Sequence, residues 1–165
     1  MFWIIIVISI FADQLSKYLV ASNLSLGESV PFLGKLMDLH YILNDGATLS
    51  MLSGQRWFFV ALTVIVLVLV LLLHYRVPRG YKAFHIALAF FIGGTLGNFI
   101  DRLFNGAVVD FLDPHLLSIF NVADCFITLS VIALCWMLLF GRLGKMLNAK
   151  NESDKHKKEL KKNGR

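Results

Sequence analysis

The sequence predicts an all-α membrane protein with a small β element. It has four transmembrane helices, both termini in the cytoplasm, and an external strand and loop between the first two helices. Three observations carry this. Four apolar stretches, Phe2 to about Ser22, Trp57 to Leu73, Ala83 to about Ile100 and Cys125 to Gly141, reach or approach the length that spans a ~30 Å hydrocarbon core. The 165 residues are 57% hydrophobic and only 16% charged, with a mean hydropathy of +0.68, whereas an average soluble domain is about 25% charged. The basic residues are also unevenly placed. The tail from Arg142 to Arg165 holds nine Lys and Arg against Glu152, Asp154 and Glu159, and Arg76, Arg79 and Lys82 mark the connector after the second stretch. The other two connectors are poorer, with Lys35 and Arg56 flanking the first and Arg102 opening the second. Positive loops stay inside, which puts both termini and the middle connector in the cytoplasm, as an even number of spans requires. Residues 1–144 read as one membrane domain and 145–165 as a basic, disordered tail. The tail fits anionic headgroups better than nucleic acid.

The first stretch opens apolar and then meets Asp13-Gln-Leu-Ser-Lys17. It lacks a basic start, and its charges interrupt the apolar run, so it is not a cleaved leader. Asp13 and Lys17, four apart, share a helix face and can pair. Asp13 is expected near the outer boundary, since it follows about 18 Å of helix at ~1.5 Å per residue. The connector Asn23 to Gln55 carries turn-forming Gly27, Pro31, Gly34, Gly46 and Gly54. Between them Met37, Leu39, Tyr41 and Leu43 alternate with Asp38, His40, Ile42 and Asn44, a period near two that predicts a strand lying half in the interface. Asn44-Asp-Gly-Ala47 reads as a turn.

The second stretch is uncharged and rich in Val and Leu, and no chemistry is assigned to it. Trp57, Tyr75 and Tyr81 suit interfacial anchoring. In the third, Gly93 and Gly97 form a G-x-x-x-G pair that lets another helix approach closely. Asn98, Asp101 and Arg102 follow on one face. Val108-Val-Asp110-Phe predicts a short extended piece presenting a carboxylate. Asp113-Pro114 reads as a turn or helix start, so Asp113 ranks below Asp110. Asn121 and Asp124 suit an N-cap and a first-turn acid.

Given this topology, Asp13, Asn44, Asn98, Arg102, Asp110, Asn121 and Asp124 converge at the outer side. Charges in a bilayer are expensive, about 2.5–3.5 kcal/mol at a helix centre on insertion scales, so such a cluster calls for a reason. Cys125 and Cys135 sit in one apolar segment as packing residues, with no histidine near Cys125 to activate it. The five histidines show no HExxH and no metal spacing. Ser16 and Lys17 are adjacent on a helix and point apart, which disfavours a Ser–Lys pair. What remains is a pair of carboxylates. Two close aspartates share a proton. The ionised member then activates water while the protonated one donates to the carbonyl oxygen.

The ordered motifs Asp13-Gln-Leu-Ser-Lys17, Asn44-Asp-Gly-Ala47, Gly93-Gly-Thr-Leu-Gly-Asn-Phe-Ile-Asp-Arg102, Val108-Val-Asp110-Phe and Phe120-Asn-Val-Ala-Asp124 make the chain resemble the lipoprotein signal peptidase family (signal peptidase II). These are bacterial aspartic intramembrane proteases. The resemblance runs through about Gly141. It implies that Asp110 and Asp124 are the catalytic dyad, and that Asp13, Lys17, Asn44, Gly46, Asn98, Arg102, Asn121 and Ala123 line or support the site. It gives Asp101 a structural place. It also implies an endopeptidase of the bacterial cell membrane, active at the outer leaflet, that cuts signal peptides from pro-lipoproteins just before a diacylglyceryl-modified cysteine. No metal or organic cofactor is expected, the partners are lipidated substrates and membrane lipids, and the chain is expected to be a monomer. Thr48 and Leu49 depart from the family's usual Ala and aromatic, which bears on the shape of the external loop.

A lipid-anchored substrate arrives at fixed depth, so a dyad at that depth meets it with little search. The external strand and loop are expected to close over it as a lid. The rivals are a proton-relaying transporter, which predicts carboxylates spread through the bilayer and an inverted repeat, and an assembly factor using the Gly93/Gly97 face. Clustering of the carboxylates on one side and the lack of a repeat disfavour the first. The second leaves the aspartates unexplained.

Overall fold

The structure, a computed structural model, describes residues 1–46 and 54–141. Residues 47–53 of the external connector, with Ala47, Thr48 and Leu49, and the basic tail from residue 142 lie outside the described residues. In chain order the elements are α1 (Phe2–Asn23), β1 (Ser29–Pro31), β2 (Asp38–Asn44), α2 (Arg56–Arg76), α3 (Lys82–Phe104), β3 (Val108–Asp113) and α4 (Val122–Leu139). All four helices are long and apolar enough to cross a membrane.

Helix α3 is the hub. It packs against α1, α2 and α4 and holds most of the buried helical positions. Its glycines explain why. A Cβ on Gly93 would lie 2.5 Å from Ser9 Cβ of α1, one on Gly94 would lie 2.5 Å from the Ala123 carbonyl of α4, and one on Gly97 would collide with Asp13. Removing these side chains lets three backbones approach closely, which is how helices associate where lipid offers no hydrophobic gain. The G-x-x-x-G expectation holds, and Gly94 adds a second face that the sequence reading did not single out.

Helix α2 buries none of its residues among the described neighbours, and large apolar side chains of α1, α2 and α4 face outward. For a soluble protein that surface would drive aggregation. For helices in a bilayer it is the ordinary exterior. Trp57 and Tyr75 are exposed near the ends of α2, whereas Tyr81 packs against Val77, Phe84 and Leu88.

The strand predicted around Leu39 is β2. It is the middle of a three-stranded antiparallel sheet ordered β1-β2-β3. Strand β1 is an addition to the sequence reading, being only three residues long and ending in Pro31. The β2–β3 register pairs Asp38 with Asp113 at one end and Asn44 with Val108 at the other, and it shifts between Leu39 and Ile42. The sheet covers one end of the helix bundle. There Val20 of α1 packs with Val109 and Phe111 of β3, joined by Leu39, Tyr41 and Val122.

Candidate active site

At the sheet-covered end, α1, α3 and α4 lean together over a buried polar core. Lys17 is its centre. Its Nζ lies 2.8 Å from Asp13 Oδ2, 2.8 Å from Asp101 Oδ2 and 2.9 Å from Asn98 Oδ1. The expected Asp13–Lys17 pair is therefore real but is not a lone ion pair at the membrane edge. Asp13 sits about half-way along the 22-residue α1, fully buried, and its Oδ1 accepts the Ala123 N–H at 2.9 Å. Asp101 pairs with Lys17, not with its neighbour Arg102, and also accepts from Val109 N–H and from Gln14 Nε2. This ion triad ties α1 to α3. Breaking it would leave uncompensated buried charge.

The triad also sets the orientation of an amide. An ammonium only donates, so Asn98 must turn its oxygen to Lys17. Its Nδ2 then points to Asp124 Oδ1, 2.8 Å away. The same logic fixes two more amides. Asn121 is the N-cap of α4, with Oδ1 accepting the Asp124 N–H at 3.0 Å, so its Nδ2 donates to Asp110 Oδ1 at 2.7 Å. Asn44 accepts the Gly46 N–H on Oδ1 at 3.0 Å and donates from Nδ2 to Asp110 Oδ2 at 2.9 Å. The Asn121 N–H closes the capping box on Asp124 Oδ2 at 3.1 Å. Each of the four oxygens of Asp110 and Asp124 thus receives a hydrogen bond, and Asn121 bridges the pair. The capping reading of Asn121 and Asp124 and the site reading are compatible, since one geometry does both.

Asp110 is 2% exposed. Burial pushes its carboxyl up to about 6, and the charge of Asp124 adds to this. The amides of Asn44 and Asn121 and the charge of Lys17 oppose it. Arg102 is close enough to act electrostatically on Asp124, Asp110 and Asp101. It donates to the Gly46 carbonyl at 3.1 Å, and its guanidinium lies 5.0 Å from the centre of the Phe59 ring.

Every residue proposed for the site from the sequence therefore has a place here: Asp13, Lys17, Asn44, Gly46, Asn98, Asp101, Arg102, Asp110, Asn121, Ala123 and Asp124. Asp113 does not join them. It ends β3 at the other end of the sheet, where the backbone N–H of His115 and then His40 hold its carboxyl below the usual range. Two participants were missed. Gln14, a polar residue in an apolar span beside Asp13, was visible in principle. Phe59 was not, because an aromatic in an apolar helix gives no local sign that a cation lies on it. The second span, to which the sequence assigned no chemistry, thus meets the site through one ring. No group of three or more His, Cys, Asp or Glu that could hold a metal occurs among the described residues.

Comparison with known proteins bears on this arrangement. A family model described as signal peptidase (SPase) II matches residues 5–140. A lipoprotein signal peptidase from Moorella thermoacetica is 42% identical over 127 residues, covering 77% of this chain and 85% of its relative. One from Brevibacillus brevis is 40% identical over 132 residues, covering 79% and 89%. The solved structure of a bacterial membrane enzyme superposes with a TM-score of 0.80 at 32% identity, over 84% of this chain and 87% of the other.

Proposed function

This chain belongs to the signal peptidase II family of aspartic proteases, and on that premise we propose that it removes signal peptides from diacylglyceryl-modified bacterial pro-lipoproteins by cutting just before the lipidated cysteine. The observation that carries the proposal is the bridged pair Asp110 and Asp124. Four carboxylates (Asp13, Asp101, Asp110, Asp124) face two cations (Lys17, Arg102) in this core, an imbalance that favours keeping a proton on the dyad. Asp110, held at about 6 by burial, is suited to hold it. As water attacks the scissile carbonyl, one carboxylate takes its proton and the other protonates the carbonyl oxygen. Collapse of the tetrahedral centre then breaks the C–N bond, with a proton passing to the leaving amine. The fixed amides of Asn98, Asn121 and Asn44 hold the carboxylates in place, so little reorganisation accompanies the step. Arg102 adds positive potential beside them.

The excess of basic residues in the 76–82 connector and the tail supports cytoplasmic termini, with the sheet-covered site at the outer leaflet of the cell membrane. A substrate held there by its acyl chains presents the scissile bond at the dyad's depth. The chain acts as a monomer and needs no metal or organic cofactor. The external strand β2 and its loop serve as a lid over the dyad.

The test is a gel-shift assay in liposomes with a diacylglyceryl-modified pro-lipoprotein, comparing the parent with Asp110→Asn and Asp124→Asn after each is shown to fold. Turnover by the parent that both substitutions abolish and a chelator leaves intact is the expected result. Turnover that survives either substitution would move the chemistry to other residues. A folded parent that cleaves nothing would remove the substrate assignment.

A further inference from the structure

The end of the sheet away from the dyad carries an exposed apolar tip. The β2–β3 register places Asp38 opposite Asp113, so the turn before Asp38 and the turn after Asp113 emerge side by side. Two His–Asp contacts lie across this end, His40 with Asp113 at 3.4 Å and His115 with Asp38 at 3.8 Å. The first turn shows Phe32, Leu33 and Leu36 at 54%, 52% and 77% exposure, with Lys35 exposed among them. The second shows Leu116 and Leu117 at 93% and 73%.

Turns that face water are built mainly from polar and turn-forming residues. These use Gly34 and Pro114 to turn but carry large apolar side chains around them, and neither is loose. In the first, Phe32 and Leu33 donate to the Met37 carbonyl at 3.2 and 2.9 Å, Leu36 donates to Leu33 at 3.1 Å, and Gly34 takes φ +60°. In the second, Leu116 N–H donates to the Pro114 carbonyl at 2.7 Å, and His115 takes φ +61°. The side chains are thus held outward by backbone hydrogen bonds.

We propose that this tip is a membrane-insertion wedge: Phe32, Leu33, Leu36, Leu116 and Leu117 enter the bilayer interface beside the helix bundle, and Lys35 meets the lipid phosphates. The chain itself argues for lipid over a protein partner. Leu117 precedes the first residue of α4 by five positions, so it stays within about 18 Å of a spanning helix at 3.3–3.6 Å per residue. An apolar tip tethered that close to the bilayer reaches it without a partner. Lys35 stands among the apolar side chains and the His–Asp pairs lie behind them at the strand ends, the mixture of apolar and cationic groups that suits an interfacial segment. The wedge would brace the sheet, and with it Asn44 and Asp110 at the opposite end of β2 and β3, at a constant depth. This inference does not depend on the peptidase reading.

Site-directed spin labelling tests it. Labels are placed singly at Leu36→Cys, Leu116→Cys and, as a control just before β1, at the exposed Glu28→Cys. The background carries Cys125→Ala and Cys135→Ala and is checked for folding by its thermal transition. In vesicles of phosphatidylcholine with phosphatidylglycerol, the expected result is that oxygen relaxes the labels at 36 and 116 several-fold more, relative to a water-soluble nickel chelate, than the label at 28. Lys35→Gln lowers that ratio in phosphatidylglycerol-containing vesicles and not in pure phosphatidylcholine. Labels at 36 and 116 that match position 28 would overturn the wedge. Labels shielded from both reagents would overturn it in favour of a protein neighbour, and shielding that disappears on dilution of protein in lipid would identify that neighbour as a second copy.

Discussion

Asn98 illustrates how one residue's chemistry is decided by its neighbours. Its oxygen is claimed by Lys17, so its amide must donate to Asp124. Asn98→Asp keeps the acceptor and removes the donor. It should lower kcat by about 10²–10³-fold, the loss typical for one preorganised donor, in a protein whose fold is intact. A kcat within a few-fold of the parent would show that the Asn98–Asp124 bond is dispensable. Asp110 makes a second prediction. Its carboxyl is held at about 6 against an ordinary 3.8, so the folded state binds more protons between those values. Its contribution to stability is present below the unfolded value and is lost as pH rises through the folded one. At most this is worth on the order of 3 kcal/mol. The thermal midpoint of Asp110→Asn, measured against the parent's, should therefore gain progressively from pH 4 to pH 7. A difference that stays flat across that window would contradict the buried-carboxyl account.

At the scale of elements, α3 determines how closely the others approach. Gly93→Ala drives a methyl into Ser9 of α1, and such overpacking costs roughly 1–3 kcal/mol. If the collision is the cause, adding Ser9→Gly should recover part of the lost thermal stability even though glycine is a poorer helix former. An additive double variant would mean that the two positions do not oppose one another. Gly97 is more sensitive, because its face meets Asp13 and Ala123 together, the two groups that join α1 to α4. The sheet works as an element too. β3 presents Asp110, β2 presents Asn44 to it, and their pairing brings the two within a hydrogen bond.

For the whole molecule, apolar side chains face outward along α1, α2 and α4 while the carboxylates and amides of the site gather toward the sheet-covered end. Which leaflet that end occupies follows in our reading from charge. An alkaline phosphatase reporter inserted in residues 24–28 should be active, as outside the cytoplasm, and one fused after residue 165 should be inactive. The opposite pattern would invert the topology and put the site on the cytoplasmic side.

The sequence by itself determined the four helices, the middle strand and the close-packing pair Gly93 and Gly97. These are written in local terms: runs of apolar residues, alternation and the absence of side chains. It also marked the polar residues that now share one core, because polar groups in an apolar chain stand out. Helix ends were unevenly legible. The third helix runs past the expected Ile100 to Phe104, since Asp101 and Arg102 find partners inside the fold, whereas the fourth begins at Val122 behind Asn121, the cap its residue types had suggested. Only the tertiary structure decided the rest. Pairing of β2 with β3 joins segments some seventy residues apart, and no local pattern encodes that. The Lys17 triad draws on two helices, and the direction of each amide depends on a donor contributed elsewhere. Phe59 carries no mark until Arg102 lies over it. A hydrogen bond or an ion pair is a relation between positions. The residue types say what each position can donate or accept, and the fold selects which of those capacities meet.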